Sequence, residues 1–374
     1  MMVAEPIDKR GIYLPGTQVT INGTLLSKEA EAQLVRVVVD EDVNLASMFT
    51  LEFAGLDDFP PRTDIELIDD PKLFAIGNEV KIKLGYYEKT FERLMTGEIT
   101  SLEPTFHFSS PPSITVRGYD RRHRLLGGRK SRTFLSQKDS EIAAQIAQDA
   151  GLTPSTVDSK ITHEYVLQAN QTDLEFLQAR ARHIEYEVVV DDKTLYFRPV
   201  SNAKSEVLTL TYKQDLLEFY PYVSAIGQVN RTAVYGWNYK DATPFVGQAM
   251  VGDEVSLMGG QKSGAAISQS AFGGATAAIS SHPVMSLAEA EQLAKANFNR
   301  GVLMLITGEG VAQGRTDLRA GTVIKIDGNG IGKQYRGEYY VTAVSHRFSG
   351  GTVGTNRSGY YTHFKVKRDA LSRN

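Results

Sequence analysis

No cysteine occurs in the 374 residues, so neither a disulfide nor a thiolate zinc site can hold this chain together. That absence fits assembly in a reducing cytosol without requiring it. Long apolar runs are missing too, and nothing approaches the roughly 18 consecutive apolar residues of a membrane-spanning helix. The first ten residues, M-M-V-A-E-P-I-D-K-R, lack the apolar core of a secretory signal, so synthesis and assembly in the cytoplasm are expected. Excess charge of one sign is also lacking. Lys and Arg number 41 against 44 Asp and Glu, and a net charge of −3 draws the molecule neither to nucleic acid nor to an anionic membrane. What remains is an ordinary globular composition, 41% hydrophobic and 23% charged, long enough for two to four units with their own cores.

The clearest local signal lies in residues 172–200. Thr172 with Glu175 three residues on is a capping box, and Leu174, Leu177, Ala181 and Ile184 then recur on one helical face. From Tyr186 the period changes to that of a strand, and V-V-V, the turn D-D-K and L-Y-F predict a hairpin. Another helix is predicted over 139–150, with Gly151 as its stop, and one over 286–300, opened by Ser286 and Glu289. Short β-rich runs fill residues 18–120 and again 207–369. The segment 259–281 is almost entirely Gly, Ala, Ser, Gln and Thr and reads as a mobile loop or one ordered by a partner.

The two β-rich blocks share a pattern. V-K-I-K-L-G is followed by Ile99, Leu102 and Phe106, then by Ile114 and Val116 before Asp120. V-I-K-I-D-G is followed by Val341, Val344 and Phe348, then by Phe364 and Val366 before Asp369. The triplets have the same spacing; either a duplication or coincidence in short strands accounts for it.

Candidate chemistry is thin. The basic run R-R-H-R-L-L-G-G-R-K-S-R at 121–132 reads either as a contact for nucleic acid or an acidic partner, or as a solvated connector. The lack of interleaved aromatics favours the connector. Its glycines lack the spacing of a phosphate loop. Asp327, Asn329, Gly332 and Glu338 fall on calcium-loop positions, but Ile331 stands where an oxygen ligand is needed, which favours a glycine-rich hairpin. His163-Glu164 lacks the second histidine of a zinc-protease helix. The acid pairs Asp57-Asp58 and Asp191-Asp192 sit in turn-like sequence and read as solvated. His346 and His363 read as structural, and Trp237 as a core or interface anchor. No catalytic, cofactor or metal residue is assigned, and no enzyme is expected.

Motifs in order resemble a known family: L-G-Y-Y, M-T-G-E-I-T-S-L-E-P, V-R-G-Y-D-R-R-H, the two middle helices, E-F-Y-P-Y-V with V-Y-G-W-N, and finally G-E-G, L-R-A-G and G-E-Y-Y-V-T-A-V-S-H. Together, over residues 20–370, they resemble the baseplate hubs of contractile tails, which include phage late control D proteins and the N-terminal half of VgrG. The resemblance implies a mainly β fold with α insertions (α+β). It implies two related β-barrel-like domains, at 15–125 and 206–374, around a helix-helix-hairpin domain at 126–205, after a flexible arm at 1–14. It further implies a homotrimer joining a hexameric inner tube, or a tube-initiator protein, to a trimeric spike, with baseplate wedge components as further partners. Because the sequence stops at Asn374, where fused hubs continue into a needle, the spike is expected to be a separate protein. The particle is a virion or an injection device, and no cofactor is expected. Candidate partner contacts are Arg121, Arg122, Arg124, Lys367, Arg368 and Arg373. The alternatives are a tail-associated cell-wall hydrolase and a nucleic-acid module built on the basic run.

Overall fold

A computed structural model describes residues 14–55, 70–108, 111–200, 202, 208–350 and 359–372, so most of the expected arm, the pair Asp57-Asp58 and Arg373 lie outside the described residues. Strands dominate and helices are few, as the mainly β reading requires.

The first block runs through β1 (Pro15–Ile21), β2 (Thr24–Leu25), helix α1 (Lys28–Gln33), β3 (Leu34–Asp42), β4 (Met48–Ala54), β5 (Glu79–Tyr86), β6 (Glu92–Thr105) and β7 (Ser113–Tyr119). Alternation follows the pleat. In β5 the side chains of Val80, Ile82 and Leu84 are buried while Lys81 and Lys83 are half-exposed. Phe49, Leu51, Ile99 and Val116 from neighbouring strands complete that core. Gly118 is needed for close approach, since a Cβ there would stand 2.1 Å from the carbonyl oxygen of Glu98.

A 3-10 turn over Arg121–Leu126 leads into the middle unit. It comprises β8 (Lys130–Lys138), α2 (Asp139–Asp149), β9 (Thr153–Thr156), β10 (Thr162–Gln171), α3 (Asp173–His183), β11 (Tyr186–Asp191) and β12 (Thr194–Pro199). The capping box of α3 forms in both directions, Glu175 N–H to Thr172 Oγ1 at 3.1 Å and Thr172 N–H to Glu175 Oε2 at 3.0 Å. Gly151 follows α2 with φ +70°, which stops the helix as its position suggests. Ile142, Ile146, Leu177 and Phe197 form a separate core here, with Phe134 and Phe176 stacked at 5.6 Å.

The last block holds β13 (Leu208–Thr211), β14 (Leu216–Val223), β15 (Arg231–Asn238), β16 (Thr243–Met250), β17 (Lys262–Ser263), α4 (Gly264–Phe272), β18 (Thr276–Ile279), α5 (Leu287–Val302), β19 (Ile306–Gln313), β20 (Val323–Asp327), β21 (Gly337–Ser349), β22 (Gly359–Arg368) and β23 (Ala370–Leu371). The expected mobile loop at 259–281 is corrected, because it is a strand–helix–strand. Ser263 caps α4 through the Ala266 N–H at 3.2 Å, β17 pairs with β23, and β18 lies parallel to β15. Small residues here allow close approach: Ala265 is buried and Gly264 lies against Gln228 and Leu305. Another small residue seats α5, since a Cβ on Gly247 of β16 would stand 2.2 Å from the backbone of Ala290.

The two expected barrels are corrected as well. Among the described residues no sheet closes. The strands join edge to edge in the order β14-β19-β22-β21-β3-β4-β7-β6-β5-β1-β2, with β20 and β13 branching from β21. The seam is the antiparallel pair β3–β21, running from Ala343 opposite Asp42 to Ser349 opposite Arg36. The seam satisfies backbone groups on both strands that separate sheets would leave open. Within this sheet the pairing chain β5-β6-β7-β4-β3 is matched by β20-β21-β22-β19-β14. The match extends to an irregularity, because the β6–β7 register shifts between Ile99 and Ser101, and the β21–β22 register between Val341 and Ala343. Ile99 and Val341 are the first members of the two sequence triplets. The third members diverge: Phe348 reaches into the first core, whereas Phe106 is exposed.

Candidate interaction surfaces

The basic run lies at the junction of the first block and the middle unit, and its charge is spent inside the chain. Asp120 caps the 3-10 turn through the Arg122 N–H at 2.8 Å and also accepts from Arg122 Nε at 2.9 Å. Arg121 is buried and donates to Glu98 at 3.1 Å, to Glu79, and to Asp192 in the β11–β12 turn. Glu98 also takes His123 at 2.8 Å and Arg124. Burial alone would raise the Glu98 carboxyl, but Arg124, His123 and Arg121 hold it below the usual carboxylate range. Further on, Arg129 pairs with Glu175, Lys130 with Asp173, and Arg132 with Asp149 and Asp173. The run is therefore no free basic surface: Arg121 and Arg122 are buried in the junction, while Arg124 and Arg129 stay exposed along the connector with their charges paired.

Burial corrects three of the expected contact residues, Arg121, Arg122 and Arg368; Arg124, though engaged by Glu98, stays exposed. Arg368 is fully buried, donating to the carbonyls of Arg336 at 2.9 Å and Met258 at 3.2 Å. Lys367 remains half-exposed. The side chains of Asp191 and Asp192, read as solvated, are 55% and 46% exposed and also engage Arg93 and Arg121.

Asp327–Glu338 connects β20 to β21, with Lys325 opposite Glu338, and is the glycine-rich hairpin. Among the described residues no group of three or more metal-ligating carboxylate or imidazole side chains converges. His346 is fully buried with Nδ1 2.8 Å from the Tyr360 hydroxyl, and burial pushes it down to about 4. Trp237 is exposed rather than a core anchor.

Sequence reading passed over a buried ionic junction between the middle unit and α5. His163 on β10 lies 3.2 Å from Asp139 of α2 and 3.4 Å from Glu289 of α5, and Arg180 of α3 joins Asp139. Burial opposes charge on the ring, but Asp139 and Glu289 lift His163 to about 9. Motifs touch two of these residues, His163 and Glu289, but none brings the four together, because four separate elements supply them.

Two surfaces stay open to a partner. Among the described residues strand β14 ends the large sheet, pairs with β19 on one side and, apart from a single bridge from Leu216 to Tyr212, leaves its other side open, exposing Leu217, Tyr220, Tyr222 and Val223. Pro221 within it has no N–H to offer, which suits an edge strand; this was the signal available in E-F-Y-P-Y-V. A groove of about 670 Å³ crosses the β3–β21 seam, lined by Arg36, Glu52, Arg347, Phe348, Tyr361 and His363 among others.

Comparison with known proteins gives a consistent fold. A tail protein of about 43 kDa from prophage MuSo2 of Shewanella oneidensis superposes with TM-score 0.66 at 14% identity, covering 96% of this chain and all of that one. A tail protein from Neisseria meningitidis does so with TM-score 0.66 at 13% identity, over 96% and 97% of the two chains. The Escherichia coli c3393 protein, described as a type VI secretion component similar to T4 tail proteins gp27 and gp5, gives TM-score 0.59 at 12% identity, over 95% and 79%. At these identities the likeness establishes a shared fold, that of phage tail and type VI secretion components. No curated protein matches by sequence. The family model described as the Alg8 N-terminal domain matches residues 13–350.

Proposed function

We propose that this chain, which belongs to the Alg8 N-terminal domain family, is the structural hub of a contractile tail-like particle, related to late control D proteins and VgrG; the reading rests on the fold and its strand pattern rather than on that family. In this reading three copies join a six-fold inner tube, or its initiator protein, to a three-fold spike, and baseplate wedge components pack around them. The hub acts by packing and strand pairing and catalyses nothing.

The observation that carries the reading is the doubled strand order, with its bulge repeated at Ile99 and Val341. A chain holding two copies of one strand pattern presents, as a trimer, six near-equivalent units to a hexameric ring while remaining three-fold toward a trimeric spike. The open edge of β14 supports the same reading, because an unpaired edge with exposed Tyr220 and Tyr222 is suited to continuing a sheet into another copy. The test is the sedimentation of full-length chain co-expressed with its candidate spike, beside the double variant Tyr220→Lys/Tyr222→Lys. Three copies in the wild-type complex and a folded monomer for the variant are expected. A variant that assembles like wild type would exclude β14 from the interface, and a wild-type dimer would remove the symmetry argument.

A further inference from the structure

Between α3, β11, α5 and β22 lies a cavity of about 160 Å³ that the hub reading does not use. Its wall carries Arg182, Glu185, Asn202, Arg300 and Lys367. Arg182 and Arg300 are exposed and Lys367 is half-buried, and none of the three has a carboxylate within ion-pair distance among the described residues. The basic groups of the run at 121–132, buried and exposed alike, each meet a carboxylate, whereas here, among the described residues, Arg300 Nη2 donates only to the Arg182 carbonyl, at 2.6 Å. The three cations instead press on one another: desolvation and Arg182 lower Arg300, and desolvation, then Arg300 despite Asp42, lowers Lys367. Asn202 adds an independent sign. It is only 5% exposed, and among the described residues its side-chain oxygen finds no hydrogen-bond partner. An amide turned over presents N–H in place of that oxygen, so the position can supply a donor to an anion. Glu185 stands in the wall with φ +58°, just past the end of α3, where glycine is the usual residue.

We propose that this cavity is a binding site for one small tetrahedral dianion of the sulfate or phosphate class, held by Arg182, Arg300 and Lys367. Arg182, Arg300 and Lys367 outnumber the two wall carboxyls, Glu185 and Glu187, and Glu187 is already engaged by Arg198, so a charge excess remains that such a dianion offsets; guanidinium groups supply forked donors matched to its oxygens. The volume admits one such group and falls below the pockets of about 300–1,000 Å³ that enclose drug-sized ligands. Glu185 sets the pH dependence. Facing it are Lys295 and Arg300 of α5, Arg182 of α3, Lys367 of β22 and Glu187 of β11, the last engaged by Arg198. Burial pushes Glu185 up to about 7 against the pull of Lys295 and Arg300. A bound dianion favours its protonated form, so affinity rises as pH falls through that value. The site stands independently of the hub reading.

The experiment is isothermal titration of the full chain with sodium sulfate, against sodium chloride at matched ionic strength. A saturable sulfate signal is expected, weakened roughly tenfold or more in Arg300→Gln and in Lys367→Gln and unchanged in the control Lys262→Gln. Circular dichroism establishes that the variants are folded. Sulfate keeps its charge between pH 6 and 8, so affinity should fall across that range in wild type and stay level in Glu185→Gln. Inorganic phosphate and phosphoethanolamine, compared at one pH, distinguish a free ion from a phosphate carried on a larger molecule. A response that chloride reproduces, or variants that bind as wild type does, would overturn the site.

Discussion

Replacing Arg121 with glutamine removes the cation on which Glu79, Glu98 and Asp192 converge, and the cost can be worked from their surroundings. Deleting one partner of a buried ion pair costs about 3–5 kcal/mol when the other is stranded. Here the stranding is partial. Glu79 and Asp192 have side chains 35% and 46% exposed and regain water, while Glu98, at 11%, retains His123 and Arg124. A loss of about 2–3 kcal/mol is therefore expected, below the full penalty for a buried pair and above that for a surface one. It should be local, because Asp192 is one of the two carboxylates, with Asp191 on Arg93, through which the β11–β12 turn meets the first block. Hydrogen–deuterium exchange followed by mass spectrometry reads it: amides at 191–194 should exchange about 30- to 150-fold faster, with β4 and β7 unchanged. Arg36→Gln, which breaks only the half-exposed pair with Glu52, is the control and should stay within about 0.5 kcal/mol of wild type. If Arg121→Gln leaves exchange in that turn within about twofold of wild type, the junction carries no such energy and the argument fails.

Three further perturbations follow from the packing. Phe348→Ala removes a side chain of the last block from the core of the first, and should cost about 3–5 kcal/mol in urea unfolding while leaving the exchange of β13 and β20 untouched. Gly247→Val places a branched side chain against Ala290 and should cost about 1–3 kcal/mol, seen as faster exchange along α5; protection equal to wild type would mean that the helix and β16 are not in close contact. His163 has a folded value of about 9 above the ordinary 6.5, so its stabilisation is complete below about pH 6.5 and is lost as pH rises through 9. Melting temperature should therefore fall between pH 6.5 and 9.5 in wild type and change less in His163→Gln, whereas parallel curves would contradict the assignment.

Local order was legible in the residues. The Thr172–Glu175 box, the Gly151 stop and the hairpin after Tyr186 depend on contacts within a few positions, and all three are present. The Ser286–Glu289 pair was half legible. Ser286 caps α5, but the Glu289 carboxylate accepts from the Met285 N–H and faces His163 instead of returning to Ser286. Readings failed where distant residues decide the outcome. The basic run looked solvated because the carboxylates that bury Arg121 come from β5, β6 and the β11–β12 turn, as far as 71 positions away. Composition also misled at 259–281, since Ala and Gly that bury little area alone pack closely once Leu305 and Gln228 lie beside them. The paired triplets did point to a repeated strand pattern. That the two copies share a seam at β3–β21 was not readable, because either closure or joining satisfies the same alternation.

The central claim is that two matched β units in one chain let three copies meet a six-fold ring. Native mass spectrometry of the full chain, co-expressed with its candidate spike and tube-initiator proteins, tests it most directly. The account predicts an assembly with three copies of this chain, three of the spike and six of the initiator. An assembly containing two or six copies of this chain, or a chain that remains monomeric beside both partners, would contradict it.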